Sequence, residues 1–290
     1  MAKLVRAISD MGGVVISVID STDIVKRMEE IHETSAVVSA ALGRLLTASQ
    51  LMASNLKSVD DSITLRIKAD GPIGLLTVGC DGRGNCKGYV ENNIVELALR
   101  PDGKLDVGSA VGRDGYLYVV KDIGLKEPYV GSIPLESGEI AEDITAYYAT
   151  SAQTPSVCSL GVLVEPESKD IIVSGGFIIQ LLPTAMDDTI DKVERCIKNI
   201  DPVTKMMVDG KTPEEICRSV LKEFELDVLD EYNVAYKCNC SRDKVSRALI
   251  SAGEEALKEM AEYNTTQVSC NFCDKRYEFT SSEIKNLIKK

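Results

Sequence analysis

The stretch YKCNCSRDK, residues 236–244, places two cysteines one residue apart near the end of the chain. A second close pair follows in SCNFCDK, residues 269–275, so four of the nine cysteines fall in the last fifth of the sequence. Zinc prefers about four tetrahedral ligands and binds thiolates well. Each close pair supplies one edge of a tetrahedron while little chain has to be ordered. The pattern predicts a metal site made of four ligands, Cys238, Cys240, Cys270 and Cys273.

The segment around these cysteines, residues 232–290, is predicted to be a small metal-binding domain. A piece of about sixty residues has a marginal core, and a structural metal would stabilise it. The same thiols also suit a redox switch, because the thiolate is the form that oxidants attack. Zinc binding is worth about 10–16 kcal/mol in small modules, while a whole domain is stable by about 5–15 kcal/mol. The spacing alone leaves a structural clamp and a redox switch as alternatives.

The composition describes an acidic globular protein. The chain has 290 residues, 44% hydrophobic and 27% charged, with a net charge of −12 and a pI near 4.8. This charge argues against nucleic-acid and anionic-membrane partners, because both bind proteins through clustered Lys and Arg. Residues 1–15 show no apolar run of signal-peptide length, and the apolar stretch 37–56 contains Arg44 and Gln50, as a core helix does. We expect a reducing cytosol, where clustered cysteines point to metal or redox chemistry.

Hydrophobic periodicity predicts an α+β fold for the N-terminal domain, residues 1–183. Two helices are expected between residues 22 and 56, because one apolar-periodic run is too long for a single helix. Another helix is expected at 139–150. The predicted strands are 4–8, 14–19, 63–68, 73–78, 116–120, 157–164 and 171–181, with Asp-Gly turns at 70, 81, 102 and 114.

A helical linker is predicted at residues 184–231. Its first helix spans 187–200, and a capping box at Thr212–Glu215 opens another helix with Ile216, Val220 and Phe224 inward. Such short acidic amphipathic helices depend on packing against their neighbours. Beyond the linker, one amphipathic helix is predicted over 245–260, then a hairpin at 268–279 and a closing helix with a capping box at Thr280–Glu283.

The remaining chemistry-bearing residues predict no second site. The single histidine, His32, is expected to be a surface or hydrogen-bonded residue, and no carboxylate pair stands out as a catalytic acid and base. Cys80 and Cys86 flank the turn GCDGRGNCKG, residues 79–88, which lacks the Gly-Lys-Ser/Thr ending of a phosphate loop and predicts a hairpin. Five scattered thiols are expected to be buried and inert, namely Cys80, Cys86, Cys158, Cys196 and Cys217.

Longer stretches carry a resemblance that covers the whole chain. GYLYVVKDIGLKEPYVGSIPLESGEIAEDITAYY (Gly115–Tyr148), LGVLV (Leu160–Val164) and GGFIIQLLP (Gly175–Pro183) are similar to blocks of the 33-kDa heat-shock protein family, a redox-regulated molecular chaperone of the bacterial cytosol. The two cysteine pairs resemble that family's zinc-binding switch. One departure is Ala152, where the family usually has Glu, so no role of that acid carries over.

The resemblance implies a non-enzymatic holdase that is inactive when reduced and bound to one Zn²⁺ through four thiolates. Peroxide with heat, or hypochlorite, would form disulfides Cys238–Cys240 and Cys270–Cys273 and release the zinc. The zinc domain and linker would then unfold, and a homodimer would hold unfolding client proteins without ATP. Unfolding would expose the linker's apolar stripe to clients. The stripe comprises Ile190, Val193, Ile197, Ile216, Val220 and Phe224.

Two rival functions remain open from the residues themselves. A thiol–disulfide oxidoreductase could use Cys270 and Cys273, but this motif lacks a thioredoxin-like strand-to-helix context. A zinc-ribbon nucleic-acid binder could use the basic residues of the C-terminal segment, but acids balance them and no basic stripe with interleaved aromatics emerges. Insulin reduction and a salt-dependent shift on RNA or DNA would separate these functions from the chaperone.

Overall fold

A computed structural model describes residues 2–288, apart from the side chain of residue 187, so residues 1, 289 and 290 of the predicted domains lie outside it. The described chain has the predicted mixture of helices and sheets. The strands are β1 (Lys3–Ser9), β2 (Val14–Asp20), β3 (Ser62–Ala69), β4 (Leu75–Asp81), β5 (Cys86–Val90), β6 (Gly115–Asp122), β7 (Tyr129–Pro134), β8 (Ser156–Val164), β9 (Ile171–Leu181), β10 (Leu226–Asn233), β11 (Thr265–Ser269) and β12 (Arg276–Thr280). The helices are α1 (Thr22–His32), α2 (Ala36–Ala53), α3 (Val107–Val111), α4 (Ala141–Thr150), α5 (Asp187–Ile197), α6 (Val203–Val208), α7 (Pro213–Val220), α8 (Arg242–Ser251), α9 (Glu254–Met260) and α10 (Ser281–Ile288).

The described chain divides into two compact units, Met1–Tyr236 and Lys237–Lys290. The predicted linker lies within the first unit, and so does the segment 232–236 that follows it. In that segment the amide of Val234 donates to the carbonyl of Ala2 at 3.0 Å. The three-part division at residues 183 and 231 stays a prediction, because it concerns which segments unfold together.

Helix α2 is the centre of the first unit. Strands of both five-stranded sheets pack against it, and a methyl group added at Gly43 would stand 2.9 Å from Val25 and 3.0 Å from Val162. Among the described residues this helix alone is long and apolar enough to cross a membrane, but 89% of it is buried within the fold. The helix is long and apolar because it lies in the core, which confirms the core helix predicted for the apolar stretch at residues 37–56.

One five-stranded sheet has the antiparallel order β10-β1-β2-β9-β8. Its first face, with Leu4, Ile19 and Ile178, belongs to the core around α2. Its second face is equally apolar. We call this second face the linker-covered face; its residues are Val5, Ala7, Val14, Ile16, Val18, Phe177 and Ile179.

The three helices of the predicted linker cover that second face. Buried residues of α5, α6 and α7, including Val193, Met206 and Ile216, share one apolar cluster with the sheet. The capping box predicted at Thr212–Glu215 is confirmed, because each residue's side chain accepts the other's backbone N–H. The linker helices are therefore held mainly by the apolar sheet beneath them.

The prediction that the linker is helical throughout is wrong at its end. Residues 226–233 form β10, which pairs with β1 from Lys3↔Asn233 to Ser9↔Leu226. Helix α7 ends at Val220, so Phe224 lies beyond it and packs at the margin of the cluster. The other five-stranded sheet has the order β5-β4-β3-β6-β7, and its β4–β5 turn is the hairpin predicted between Cys80 and Cys86.

The second unit contains α8, α9, the β11–β12 hairpin and α10. The predicted hairpin is confirmed, but the single helix predicted over 245–260 is wrong. Gly253, with φ of 97°, separates α8 from α9, because this backbone conformation suits glycine and interrupts a helix. The buried core of the unit is small and consists of Leu249, Leu257, Ala261, Phe279 and Ile284.

Candidate metal centre

The first cysteine pair lies at the start of the second unit. Cys238 and Cys240 precede α8, whose N-cap residue Ser241 accepts the amide of Lys244 at 3.3 Å. A capped helix start has fixed backbone geometry. Capping at the adjacent residue therefore restrains the chain as it leaves Cys240.

The second pair lies in the loop that joins β11 to β12. The strands pair up to Ser269↔Arg276, which leaves the loop residues from Cys270 onward as a closed turn. The amide of Cys270 donates to the carbonyl of Lys275 at 3.0 Å, and the amide of Cys273 donates to the carbonyl of Cys270 at 3.4 Å. The turn holds both thiols at one end of the hairpin.

Contacts around Arg242 join the two cysteine-bearing segments. The guanidinium of Arg242 lies 4.3 Å from the ring centroid of Phe279 and 2.7 Å from the carboxylate of Glu283. Phe279 is buried in the small core. This cation–π and ionic contact fixes the first turn of α8 against β12 and α10, and so orders the chain next to Cys240.

The four predicted ligand atoms meet in one cluster. The Sγ atoms of all four cysteines lie within 4.8 Å of one another. Cys238 and Cys270 have their sulfurs 3.8 Å apart, and Cys240 and Cys273 have theirs 3.5 Å apart. Four sulfurs at about 2.3 Å from a tetrahedral zinc stand about 3.8 Å from each other. The donor set and its spacing therefore fit a tetrahedral thiolate-bound metal, whereas a disulfide needs about 2.05 Å.

Tyr277 on β12 is a contact of the cluster that the sequence did not predict. Its hydroxyl donates to Cys240 Sγ at 3.1 Å. Partial burial opposes ionisation of Cys240, but hydrogen bonds from Tyr277 and from the other three thiols lower its pKa to about 7. The bond to Cys240 raises the pKa of Tyr277 to about 12, so the phenol keeps its proton and remains a donor.

Two other thiols of the cluster, Cys238 and Cys273, ionise less readily on their own. Burial raises the pKa of Cys238 and of Cys273, and hydrogen bonding and charge repulsion from neighbouring thiols add to the effect. A bound cation would offset the repulsion among four thiolates, which is the arrangement thiolate-bound zinc uses.

The residues predicted to lie outside the site do so. Burial raises the pKa of Cys217 to about 12 and also raises the pKa values of Cys80, Cys86 and Cys158, which keeps these thiols protonated and inert in the folded chain. His32 is hydrogen-bonded as predicted: its Nε2 lies 3.0 Å from the carbonyl of Gly88 and 3.2 Å from the hydroxyl of Tyr236.

Comparison with known proteins identifies the family of the chain. Residues 2–280 match the family model described as Hsp33 protein. The chain belongs to the Hsp33 family. It is 48% identical to the 33 kDa chaperonin of Lachnoclostridium phytofermentans over 92% of this chain and 91% of that protein. It is 44% identical to the 33 kDa chaperonin of Clostridium beijerinckii over 99% and 98% of the two chains.

The fold of the Hsp33 family is matched as well. The crystal structure of the 33 kDa chaperonin from Thermotoga maritima superposes with a TM-score of 0.90 at 32% identity, over 99% of this chain and 97% of that one. The resemblance predicted from the sequence blocks is thereby confirmed across the whole chain. The chain is accordingly a member of a chaperone family, with a four-cysteine cluster suited to a metal.

Proposed function

We propose that this chain is a redox-regulated holdase, inactive when reduced and zinc-bound and activated when its four clustered cysteines are oxidised. The observation that carries the proposal is the cluster itself, with four Sγ atoms within 4.8 Å in a unit that has only a small core. Cys238, Cys240, Cys270 and Cys273 would hold one Zn²⁺, which would keep them as thiolates and crosslink the two ends of the unit.

Oxidation removes the donors. Each pair of thiolates, Cys238–Cys240 and Cys270–Cys273, would lose two electrons to form a disulfide. For each bond, one hydrogen peroxide would take up these electrons and two protons from the solvent and become two waters. Hypochlorite would serve as the oxidant in the same way. Disulfide sulfurs no longer offer thiolates, so the chain would lose its metal site.

Loss of the metal site would destabilise the second unit first. Its buried core is small, and structural zinc contributes about 10–16 kcal/mol in comparable modules. The linker's last strand, β10, ends at Asn233, close before Cys238 in the chain. Unfolding that begins at the cysteines and spreads backward along the chain would reach β10 and then α7.

Release of the linker would create the client-binding surface. The linker-covered face carries large buried apolar groups such as Ile16, Val18 and Phe177. Uncovering it, together with the linker's own Val193 and Ile216, would expose an extended apolar area, which marks a protein-interaction site. Removal of β10 would also free the backbone edge of β1 for pairing with extended segments.

The proposed partners follow from this surface. They are unfolded or misfolding proteins of the bacterial cytosol, together with a second copy of the oxidised chain as a homodimer. Binding by exposed apolar area needs no ATP. The net charge of −12 supports solubility of the opened form and disfavours nucleic acid and anionic membranes.

Light scattering by an aggregating, chemically denatured client tests the proposal. The full chain is added either reduced and zinc-loaded or after peroxide treatment at raised temperature, with and without ATP. Only the oxidised sample should suppress aggregation, and a Cys238→Ser/Cys270→Ser variant should not respond to peroxide as the wild type does. Cys158→Ser, which changes a thiol on β8 outside both the cysteine cluster and the linker, is the control and should respond normally. If the reduced and the oxidised wild type suppress aggregation equally, the cysteine cluster has only a structural role and the proposed switch is wrong.

A further inference from the structure

Two further cysteines face each other across the β4–β5 hairpin. Cys80 and Cys86 are directly opposed in the register of the antiparallel pair. The adjacent pair is hydrogen-bonded, because the amide of Asp81 donates to the carbonyl of Asn85 at 3.0 Å. The amide of Cys86 instead donates away from β4, to the carbonyl of Ala235 at 3.0 Å. Cys80 and Cys86 therefore occupy a non-hydrogen-bonded position, where opposed side chains come closest.

This position suits a disulfide. Opposed residues at such a site have Cα atoms about 4.5 Å apart, within the range of about 4.4–6.8 Å found for bridged cysteines. The two cysteines are already joined by a short turn. Bridging them would require little movement of the strands.

The fold shields this thiol pair. Cys80 is 3% exposed and Cys86 is fully buried. On one side α2 packs against both strands, and the side-chain amide of Gln50 donates to the carbonyl of Gly84 at 2.8 Å. On the other side lies the segment 232–236, where Val234 packs so closely on Gly84 that an added methyl group would stand 2.5 Å from its Cγ1.

The shielding segment has its own attachments to β5. Ala235 accepts the amide of Cys86, and the Tyr236 hydroxyl donates to the carbonyl of Gly88 at 3.0 Å. Tyr232 packs against the core cluster that contains both cysteines. One of the two covers of the thiol pair is thus the segment that connects β10 to Cys238, and the other is α2.

We propose that Cys80 and Cys86 are a second redox pair, which forms a cross-strand disulfide only after the segment 232–236 has left β5. The proposal rests on the proposed function, since oxidative unfolding of the second unit and linker is what removes this segment. The oxidant is again a peroxide. One thiol is oxidised to a sulfenic acid with release of water, and the other thiol displaces a second water to form the S–S bond.

The Cys80–Cys86 disulfide would be present only in chains whose segment 232–236 has left β5. Two electrons beyond the four taken from the metal-site cysteines would be lost by each chain. A disulfide reductant would then have to reduce this hairpin as well before the starting thiol state returned. The pair would act after activation, whereas the metal-site cysteines would start it.

Peptide mapping of the full-length chain tests the proposal directly. Reduced, zinc-loaded protein and protein treated with peroxide at raised temperature are each blocked with N-ethylmaleimide in denaturant and digested with trypsin. Arg83 lies between the two cysteines, so a bridge appears as a crosslink between peptides 69–83 and 84–87. The crosslink is expected only in the oxidised sample, with loss of maleimide from both cysteines. Cys158, opposed by Ile178 in β8–β9, is the internal control and should stay labelled.

A second variant tests the shielding. Val234→Ala loosens the cover without touching either pair, and its crosslink should form at a lower peroxide dose than in the wild type. Both cysteines remaining labelled in a sample that suppresses aggregation would overturn the inference while the proposed function stands. A Cys80–Cys86 crosslink in a sample that does not suppress client aggregation would support the second redox pair and overturn the proposed function. A crosslink that forms equally fast in the folded, metal-loaded chain would overturn the shielding by residues 232–236.

Discussion

At the scale of single residues, the Tyr277 hydroxyl is the contact that most directly tunes the cysteine cluster. It donates to Cys240 at 3.1 Å and thereby favours the thiolate. Tyr277→Phe should raise the pKa of Cys240 and weaken metal binding by about 10–100-fold, as loss of an outer hydrogen bond to a ligand does. Competition with a chromophoric zinc chelator measures this affinity. Tyr263→Phe, at an exposed tyrosine of the same unit, should leave the affinity unchanged, and equal affinities for the two variants would remove Tyr277 from the site.

His32 gives the first unit a dependence on pH. Burial lowers its pKa, and the hydrogen bond with the carbonyl of Gly88 opposes this only in part. A histidine whose pKa is lower when folded contributes its full stability above the unfolded value of about 6.5 and loses it as pH falls through the folded value. Replacing His32 by Gln removes this loss while keeping a side-chain donor.

Urea unfolding of the reduced chain at pH 7.5 and at mildly acidic pH checks the effect. The wild type should lose more stability on acidification than His32→Gln, because only the wild type must take up a proton there on unfolding. Parallel losses in the two proteins would show that carboxylates alone set the acid response.

At the scale of helices and strands, the proposed function makes the linker's attachment to the sheet decide how easily the client-binding surface opens. Ile216 on α7 is 1% exposed and lies against the linker-covered face, whereas Ile190 on α5 is 39% exposed. Ile216→Ala should cost about 2–5 kcal/mol by leaving a cavity. The reduced variant should therefore suppress client aggregation partly without oxidant.

Ile190→Ala is the matched control for that substitution. It makes the same chemical change on a neighbouring linker helix, at a site that is already partly solvated, so it should lower stability less and leave the reduced form inactive. Reduced Ile216→Ala that is clearly destabilised yet holds no client would argue that the linker-covered face is not the binding surface.

Local patterns predicted those elements whose signals lie within a few residues. The two capping boxes, at Thr212 and Thr280, and the hairpin that carries Cys270 and Cys273 are read from adjacent residues, and the structure contains them. Strand β10 was not predicted, because most residues of its sequence LDVLDEYN are exposed and buried and exposed positions do not alternate along it. Its strand conformation depends on pairing with β1, which is more than two hundred residues away. The hydrogen bond of Tyr277 was not predicted for the same reason, since its partner Cys240 is distant in the sequence.

At the scale of the whole molecule, two units of unequal core size share one chain. The first unit has extensive cores on both faces of its β10-β1-β2-β9-β8 sheet, while the second has five buried core residues. Stability is therefore expected to differ between them, with the smaller unit depending on its cysteine cluster. The excess of 45 acidic over 33 basic residues would keep the opened chain in solution.

Removing the proposed zinc under reducing conditions separates its role from that of the proposed disulfides. A zinc chelator with excess thiol reductant should unfold residues 237–288, because about 10–16 kcal/mol of metal binding is withdrawn from a unit with a small core. Hydrogen exchange read by mass spectrometry should show full exposure of the β11–β12 hairpin, whereas β3, central in its sheet, should remain protected. Protection of β10 and α7 decides how far the unfolding spreads. Their loss with the hairpin would make metal release sufficient to free the linker, whereas their retention would require the disulfides, or heat, for the second step. A hairpin that stays protected without metal would show that the Phe279 core holds the unit by itself.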